Sequence, residues 1–214
     1  VEISSTAALT NVTSSVQLAF LAQASMLSNV TATWLRVASA TVVVTTDTTV
    51  PKLDLLGNSL VRMEPGTELV IAAGGVLSGQ GGFTVEGAGS VVVSASASAT
   101  ISSWATFTTA WLHNHGGLIW ASPSSLLLQR GASIVNYAGA LLTLQDSGSL
   151  SAANDGQSNV LQNSGTIRVV HVAASPSTVY QYFALQSDAS STLQLLDGAT
   201  WQVQAQVEVA GALT

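Results

Sequence analysis

Between Gly116 and Val169 the chain keeps a rhythm. Short apolar bursts open at Leu118, Leu126, Ile134, Leu141, Leu150, Val160 and Ile167, with Gly, Ser, Ala and Asn between them. The intervals are 8, 8, 7, 9, 10 and 7 residues, and any three in succession sum to 23 to 26. Asn114, Asn136 and Asn163 recur with the bursts, 22 and 27 residues apart, each with a Gly two or three positions on. A burst of three to five residues is too short to persist as a free strand. It becomes stable when the same burst one turn above and below pairs with it at about 4.8 Å. Each turn then buries its apolar face only through its neighbours. An Asn at one place per turn can bond its amide to the amide of the next turn. The fold expected is all-β: a single-stranded parallel β-helix (β-solenoid) with three short strands per rung of about 22–26 residues.

The rhythm extends unevenly. Leu69, Val76, Phe83 and Val91 open bursts 7, 7 and 8 residues apart, so residues 53–214 read as the β-helix body. Residues 1–52 read as less regular N-terminal rungs or a cap. Within them, Leu9–Thr13 and Leu27–Thr31 resemble each other at a spacing of 18, and Val16–Met26 has the pattern of a short helix with a Ser14-Ser15 N-cap. Irregular excursions are expected near 94–113, where Trp104, Phe107 and Trp111 stand near helical spacing, and near 171–182. An antiparallel sandwich would need strands of about 5–6 residues with clean alternation, set about 8–12 apart. The bursts here are shorter and the period of three is better kept.

Charge narrows the function classes. Only 7% of residues are charged, there is one Lys, and the net charge is −6. Ser, Thr, Asn, Gln and Gly must carry solubility, which suits small polar turns and not the Glu/Lys-faced helices of a helical protein. Arg36, Arg62, Arg130 and Arg168 are scattered, so nucleic acid is not an expected partner. The chain has no Cys and therefore neither disulfide framework nor thiolate metal site. No run approaches the ~20 apolar residues of a membrane helix, and membrane insertion is not expected. Asn11-Val12-Thr13 and Asn29-Val30-Thr31 are N-glycosylation sequons, which would be used only in a secreted chain. The chain starts at Val1 without Met and stops just after a burst, and so reads as a mature product or a piece of something longer.

The bursts with Gly/Ser/Asn corners, and repeats such as Asn163-Ser164-Gly165-Thr166-Ile167 and Asp146-Ser147-Gly148-Ser149-Leu150, resemble the right-handed parallel β-helices. Two groups share these features: the pectate-lyase-like superfamily and the adhesin shafts of filamentous-haemagglutinin type. The resemblance covers roughly residues 53 to 213. It implies either a polysaccharide lyase or hydrolase, or an extracellular shaft.

The motifs favour the shaft. The pectinolytic hydrolases carry Asn-Thr-Asp, Asp-Asp, Gly-His-Gly and Arg-Ile-Lys motifs, whose carboxylates supply acid and base. This chain has no Asn-Thr-Asp, adjacent Asp pair or Arg-Ile-Lys, and only His113-Asn114-His115-Gly116 echoes the histidine motif. Its acids are isolated, and Glu86, Asp155 and Asp197 precede Gly, as turn residues do. His113 and His115 share one face of a strand and are weak metal candidates, with His171 the only further His. They read more simply as polar corner residues. The Thr-rich stretch Thr41–Thr49 suggests an ice-binding array, but the bursts from 116 to 169 lack the repeated Thr-x-Thr that such an array requires. Aromatic residues exposed in a row would suggest a glycan-binding module. The expectation is a non-enzymatic extracellular or cell-surface β-helix without cofactor, a structural or adhesive shaft that self-associates into a filament, with glycans as possible partners. Asn114, Asn136 and Asn163 are expected to form a corner ladder.

Overall fold

In strand after strand, every second residue is buried. Leu69 and Ile71, Leu112 and Asn114, Leu126 and Leu128, and Ile167 and Val169 all point inward from strands of four to thirteen residues. The computed structural model describes residues 2–3, 7–10, 13–21, 24–28, 30–121, 125–145, 149–153, 155–170, 178–196 and 199–213. The strands among them wind into a parallel β-solenoid with three faces. Along the third face ten strands stack, from Ala7–Thr10 to Thr200–Val203. At about 4.8 Å per strand this makes a rod on the order of 43 Å long.

The first and second faces are continuous in the N-terminal turns and separate further on. Strands Thr13–Phe20, Thr31–Ala38, Thr48–Leu56 and Glu68–Gln80 each serve both faces. Between the last two, the register passes from Val50↔Ile71 to Lys52↔Val76, so Pro51 stands opposite the corner Ala72–Gly75. Proline suits this place because it supplies no N–H to the ladder. Glu68–Gln80 then pairs with two strands of the next turn, Ser90–Val93 on the first face and Ser98–Ile101 on the second. From there on each turn has three separate strands.

One apolar core runs along the axis. Leu69, Val91, Leu112, Ile134, Leu161 and Leu185 stack on the first face, and Leu53, Leu77, Ala99, Leu118, Leu142 and Ile167 on the second. On the third face, Phe83 stacks between Ser59 and Ala105 and meets Phe107 edge-on at 6.3 Å. Gly79 occupies an inward position between Leu55 and Ile101, and a Cβ there would lie 2.5 Å from the Phe83 ring. The glycine makes the space that the phenylalanine fills.

Rung length varies more than the expected 22–26. The first turns are shorter: Leu9 pairs with Leu27 and Thr13 with Thr31, the two segments whose likeness is visible in the sequence. Later turns lengthen, with Asn136 opposite Asn163 and Ser149 opposite Tyr180. The helix expected over Val16–Met26 is absent; strands Thr13–Phe20 and Ala24–Ser28 run there. Leu18, Ala19 and Phe20 are all buried, and parallel partners on Thr31–Ala38 override the local pattern. The stretch 94–113 is strand as well, in Ser98–Ile101, Ala105–Thr108 and Trp111–Asn114. Its aromatics divide by alternation: Phe107 is buried, whereas Trp104 and Trp111 are exposed. Of the patch near 171–182, residues 171–177 lie outside those described, and Thr178–Gln181 is a strand of the third face.

Candidate functional site

The corner where the first face meets the second holds the main polar feature. Asn114, Asn136 and Asn163 occupy the last position of successive first-face strands, facing inward, with Val93 before them and Ser187 after them. All three Asn are 2% exposed or less. Asn114 Nδ2 donates to Asn136 Oδ1 at 2.7 Å, and Asn136 Nδ2 donates to Asn163 Oδ1 at 2.7 Å. Asn163 Nδ2 donates to Ser187 Oγ at 3.0 Å, and Ser187 Oγ lies 2.7 Å from Ser191 Oγ. The Ser191 hydroxyl donates in turn to the Asp188 carbonyl at 2.7 Å. The amides of Asn114, Asn136 and Asn163 therefore all donate toward the next turn on the C-terminal side.

The remaining amide valences close on the next corner. Asn114 Nδ2 also donates to Leu141 O and Asn136 Nδ2 to Thr166 O, both at 3.1 Å, and Asn114 Oδ1 accepts the Gly116 N–H at 3.2 Å. A buried amide is costly unless it is bonded, and here a repeating corner supplies the partners. The glycines two residues after Asn114 and Asn163 are needed for space. A Cβ on Gly116 would collide with the Ser94 and Ala97 carbonyls, and one on Gly165 with those of Tyr137 and Ala140.

Outside the same corner the side chains are aromatic and titratable. His115 stacks on Tyr137 with ring centroids 3.9 Å apart, and His113 meets the edges of Trp111 and Tyr137 at 5.7 Å each. His113 Nε2 is enclosed without a hydrogen-bond partner. Burial lowers the His113 pKa below the usual imidazole value; the Glu68 carboxylate opposes this and His115 reinforces it. Trp111, His113 and Glu68 line one shallow depression with Gly66, Gly89 and Ser90. As metal candidates, His113 and His115 gain no third donor: among the described residues no group of three His, Asp or Glu could hold an ion. His171 lies outside the described residues.

Further along this flank a broader trough is lined by Gln162, Ser164, Gln186, Asp188 and Glu208. Two carboxylates in one groove are the raw material of glycoside cleavage. Asp188 is engaged locally, however. Its carboxyl accepts from the Ser190 N–H at 2.9 Å and from the Ser190 hydroxyl at 2.7 Å. Hydrogen bonds from Ser164 and Ser190 hold its pKa below the usual carboxylate value, which suits a turn-fixing anion and not an acid poised to give up a proton. Asp155 plays the same part at its own corner, binding the backbone N–H groups of Arg130 and Gln157.

The exposed aromatics do not share a face. Trp111 projects from the first face and the stacked pair Tyr180–Tyr182 from the end of a third-face strand, while Trp104 packs over Gly82 at the corner leading into the third face. On the third face Thr41, Leu60, Thr84, Thr106, Leu127 and Ser151 form one mixed outward column, and only Thr106-Phe107-Thr108 places two outward Thr on one strand. The sequon residues Asn11 and Asn29, and the acids Asp146 and Asp197, lie outside the described residues. Among the described residues no helix is long and apolar enough to cross a membrane.

The Asn positions were legible from their spacing. Their continuation through Ser187 and Ser191 was not, because Ser is too common in this chain to mark a place. The pairing of Trp34 with Asp54, 20 residues apart, was also hidden: Trp34 Nε1 donates to Asp54 Oδ2 at 2.8 Å across a stacked turn.

No family model, no curated protein and no solved structure matches this chain. The architecture is thus that of a parallel β-solenoid, with no family assigned.

Proposed function

We propose that the chain is a non-enzymatic structural or adhesive shaft of an extracellular or cell-surface filament. The observation that carries this reading is the uninterrupted parallel ladder around a single core, reinforced by a buried hydrogen-bonded chain of side chains. Such a ladder resists bending and denies proteases an extended segment. Its outward columns mix Ser, Thr and Gln with Val and Leu and carry few charges, a surface on which copies pack laterally at small electrostatic cost.

The C-terminal edge supports growth along the axis. Val207 and Val209 continue the inward columns of Leu185 and Ser187, yet are 46% and 42% exposed. Among the described residues the strands Thr200–Val203 and Val207–Val209 are paired on one side only. Open strand edges recruit further strands unless they are blunted. A further rung, from continuing chain or from a second copy, covers these side chains and completes the ladder.

The test is sedimentation and negative-stain imaging of this chain beside a Val207→Lys/Val209→Lys variant. The expected result is concentration-dependent end-to-end particles for the parent and single rods for the variant. Identical single rods for both at every concentration would defeat stacking as the mode of assembly.

A further inference from the structure

The second face carries a cluster that the shaft reading does not use. Outward positions of three successive strands, Thr31–Ala38, Thr48–Leu56 and Glu68–Gln80, bring together Trp34, Arg36, Lys52, Asp54, Ser78 and Gln80. They line an open trough of about 440 Å³. The chain has five basic residues against eleven acidic ones, yet this trough holds two of the five and a single carboxylate. It is a locally positive spot on a protein of net charge −6.

The charges are not balanced. The Asp54 carboxylate is already engaged by the Trp34 indole N–H at 2.8 Å and by Lys52 Nζ at 3.8 Å, while Lys52 Nζ also lies 3.6 Å from the centre of the Trp34 ring. Arg36 stands directly beside Asp54 in the ladder, yet among the described residues it forms no ion pair, and its Nε is enclosed without a hydrogen-bond partner. Three of the other four cations have a side-chain acceptor: Lys52 has Asp54, Arg62 has Glu86 and Arg168 has Gln194. A half-buried guanidinium with an orphaned donor is costly. The enclosed Nε is out of a ligand's reach, so the part that faces the trough is the planar pair of terminal nitrogens, which fits an oxoanion with two parallel bonds. On the far side of the trough, Ser78 and Gln80 add a hydroxyl and an amide, themselves joined at 3.2 Å.

We propose that this trough is a binding site for a small oxoanion, a sulfate or carboxylate group. Arg36 is its principal ligand, Lys52 is a second cation released in part from Asp54, and Ser78 and Gln80 are neutral donors. The overall negative charge disfavours long polyanions, so a free ion or a single charged group is favoured over a highly charged polymer.

The experiment titrates sodium sulfate, sodium acetate and sodium chloride at matched ionic strength into the full chain. It follows the indole N–H resonance of Trp34, assigned by its loss in Trp34→Phe, and thermal stability. The expected result is a saturable shift of the Trp34 signal and a rise in Tm with sulfate or acetate beyond that with chloride. Arg36→Gln is expected to weaken the affinity by about tenfold or more, and Lys52→Gln to weaken it less. Dextran sulfate distinguishes the source: a further gain of about tenfold over inorganic sulfate places the group on a polymer, and equal affinity per sulfate identifies a free ion. Chloride acting as strongly as sulfate, or a sulfate shift that survives Arg36→Gln, overturns the proposal. Should Arg36→Gln not fold, an unshifted Trp34 signal in the parent chain overturns it equally.

Discussion

At the scale of single residues, stability turns on side chains that have no freedom to be otherwise. Asn136 is the middle link of the buried corner chain, accepting from Asn114 and donating to both Asn163 and Thr166 O. Replacing it with Ala orphans a donor on one side and an acceptor on the other, each worth about 1–3 kcal/mol when left unmet. Asn136→Ala is therefore expected to lose about 3 kcal/mol or more, read as a lowered urea midpoint. Asn163→Ser should lose less, since the chain itself already uses Ser187 at the next place. A second residue-scale expectation concerns acid. The folded-state pKa of His113 is depressed by burial, so at mildly acidic pH the unfolded chain binds a proton that the folded chain refuses. The stabilising contribution is complete above the ordinary imidazole value of 6.5 and is lost as pH falls below it toward the folded value. His113→Gln should flatten the fall in Tm between about pH 7 and pH 5 without changing the melt at pH 8.

At the scale of strands and corners, the structure explains which parts of the sequence can be read. Bursts of alternating burial with Gly, Ser and Asn between them reveal strands and corners because the spacing is imposed by the stacking itself. The Asn positions stand out because a buried amide is tolerated only where a repeat supplies its partners. Val16–Met26 and Trp104–Trp111 mislead for different reasons. In the first, Leu18, Ala19 and Phe20 are all buried at the end of one strand, which blurs the alternation; in the second, one buried and two exposed aromatics lie on different strands and corners, and their near-helical spacing marks no common face. The first turns are obscured because each long strand serves two faces and fewer residues go into corners, which shortens the repeat to the 18-residue likeness of Leu9–Thr13 and Leu27–Thr31. The outer clusters, Trp34 with Asp54 and His115 with Tyr137, join residues one turn apart whose types carry no periodic signal.

At the scale of the whole molecule, nearly every tertiary interaction is with the turn before or the turn after. Stability in such a linear array is a sum over turns and their interfaces, so opening begins at the ends. Native-state hydrogen exchange is expected to show the strongest protection between Ile71 and Leu144, falling toward both ends and lowest in Thr200–Val203 and Val207–Val209. Uniform protection along the rod would contradict a nearest-neighbour account. The corners carry a separate consequence. Asn136 and Asn163 stay in register although the corners between them are longer than those between Asn114 and Asn136, and Ser149 meets Tyr180 across a longer excursion still. The molecule thus separates what must be conserved in length from what need not be. For a protein engineer this is a ruler with pegs: foreign loops set into exposed corners such as Ala138–Gly139 would be held at fixed heights, about 4.8 Å per turn, along a stiff axis.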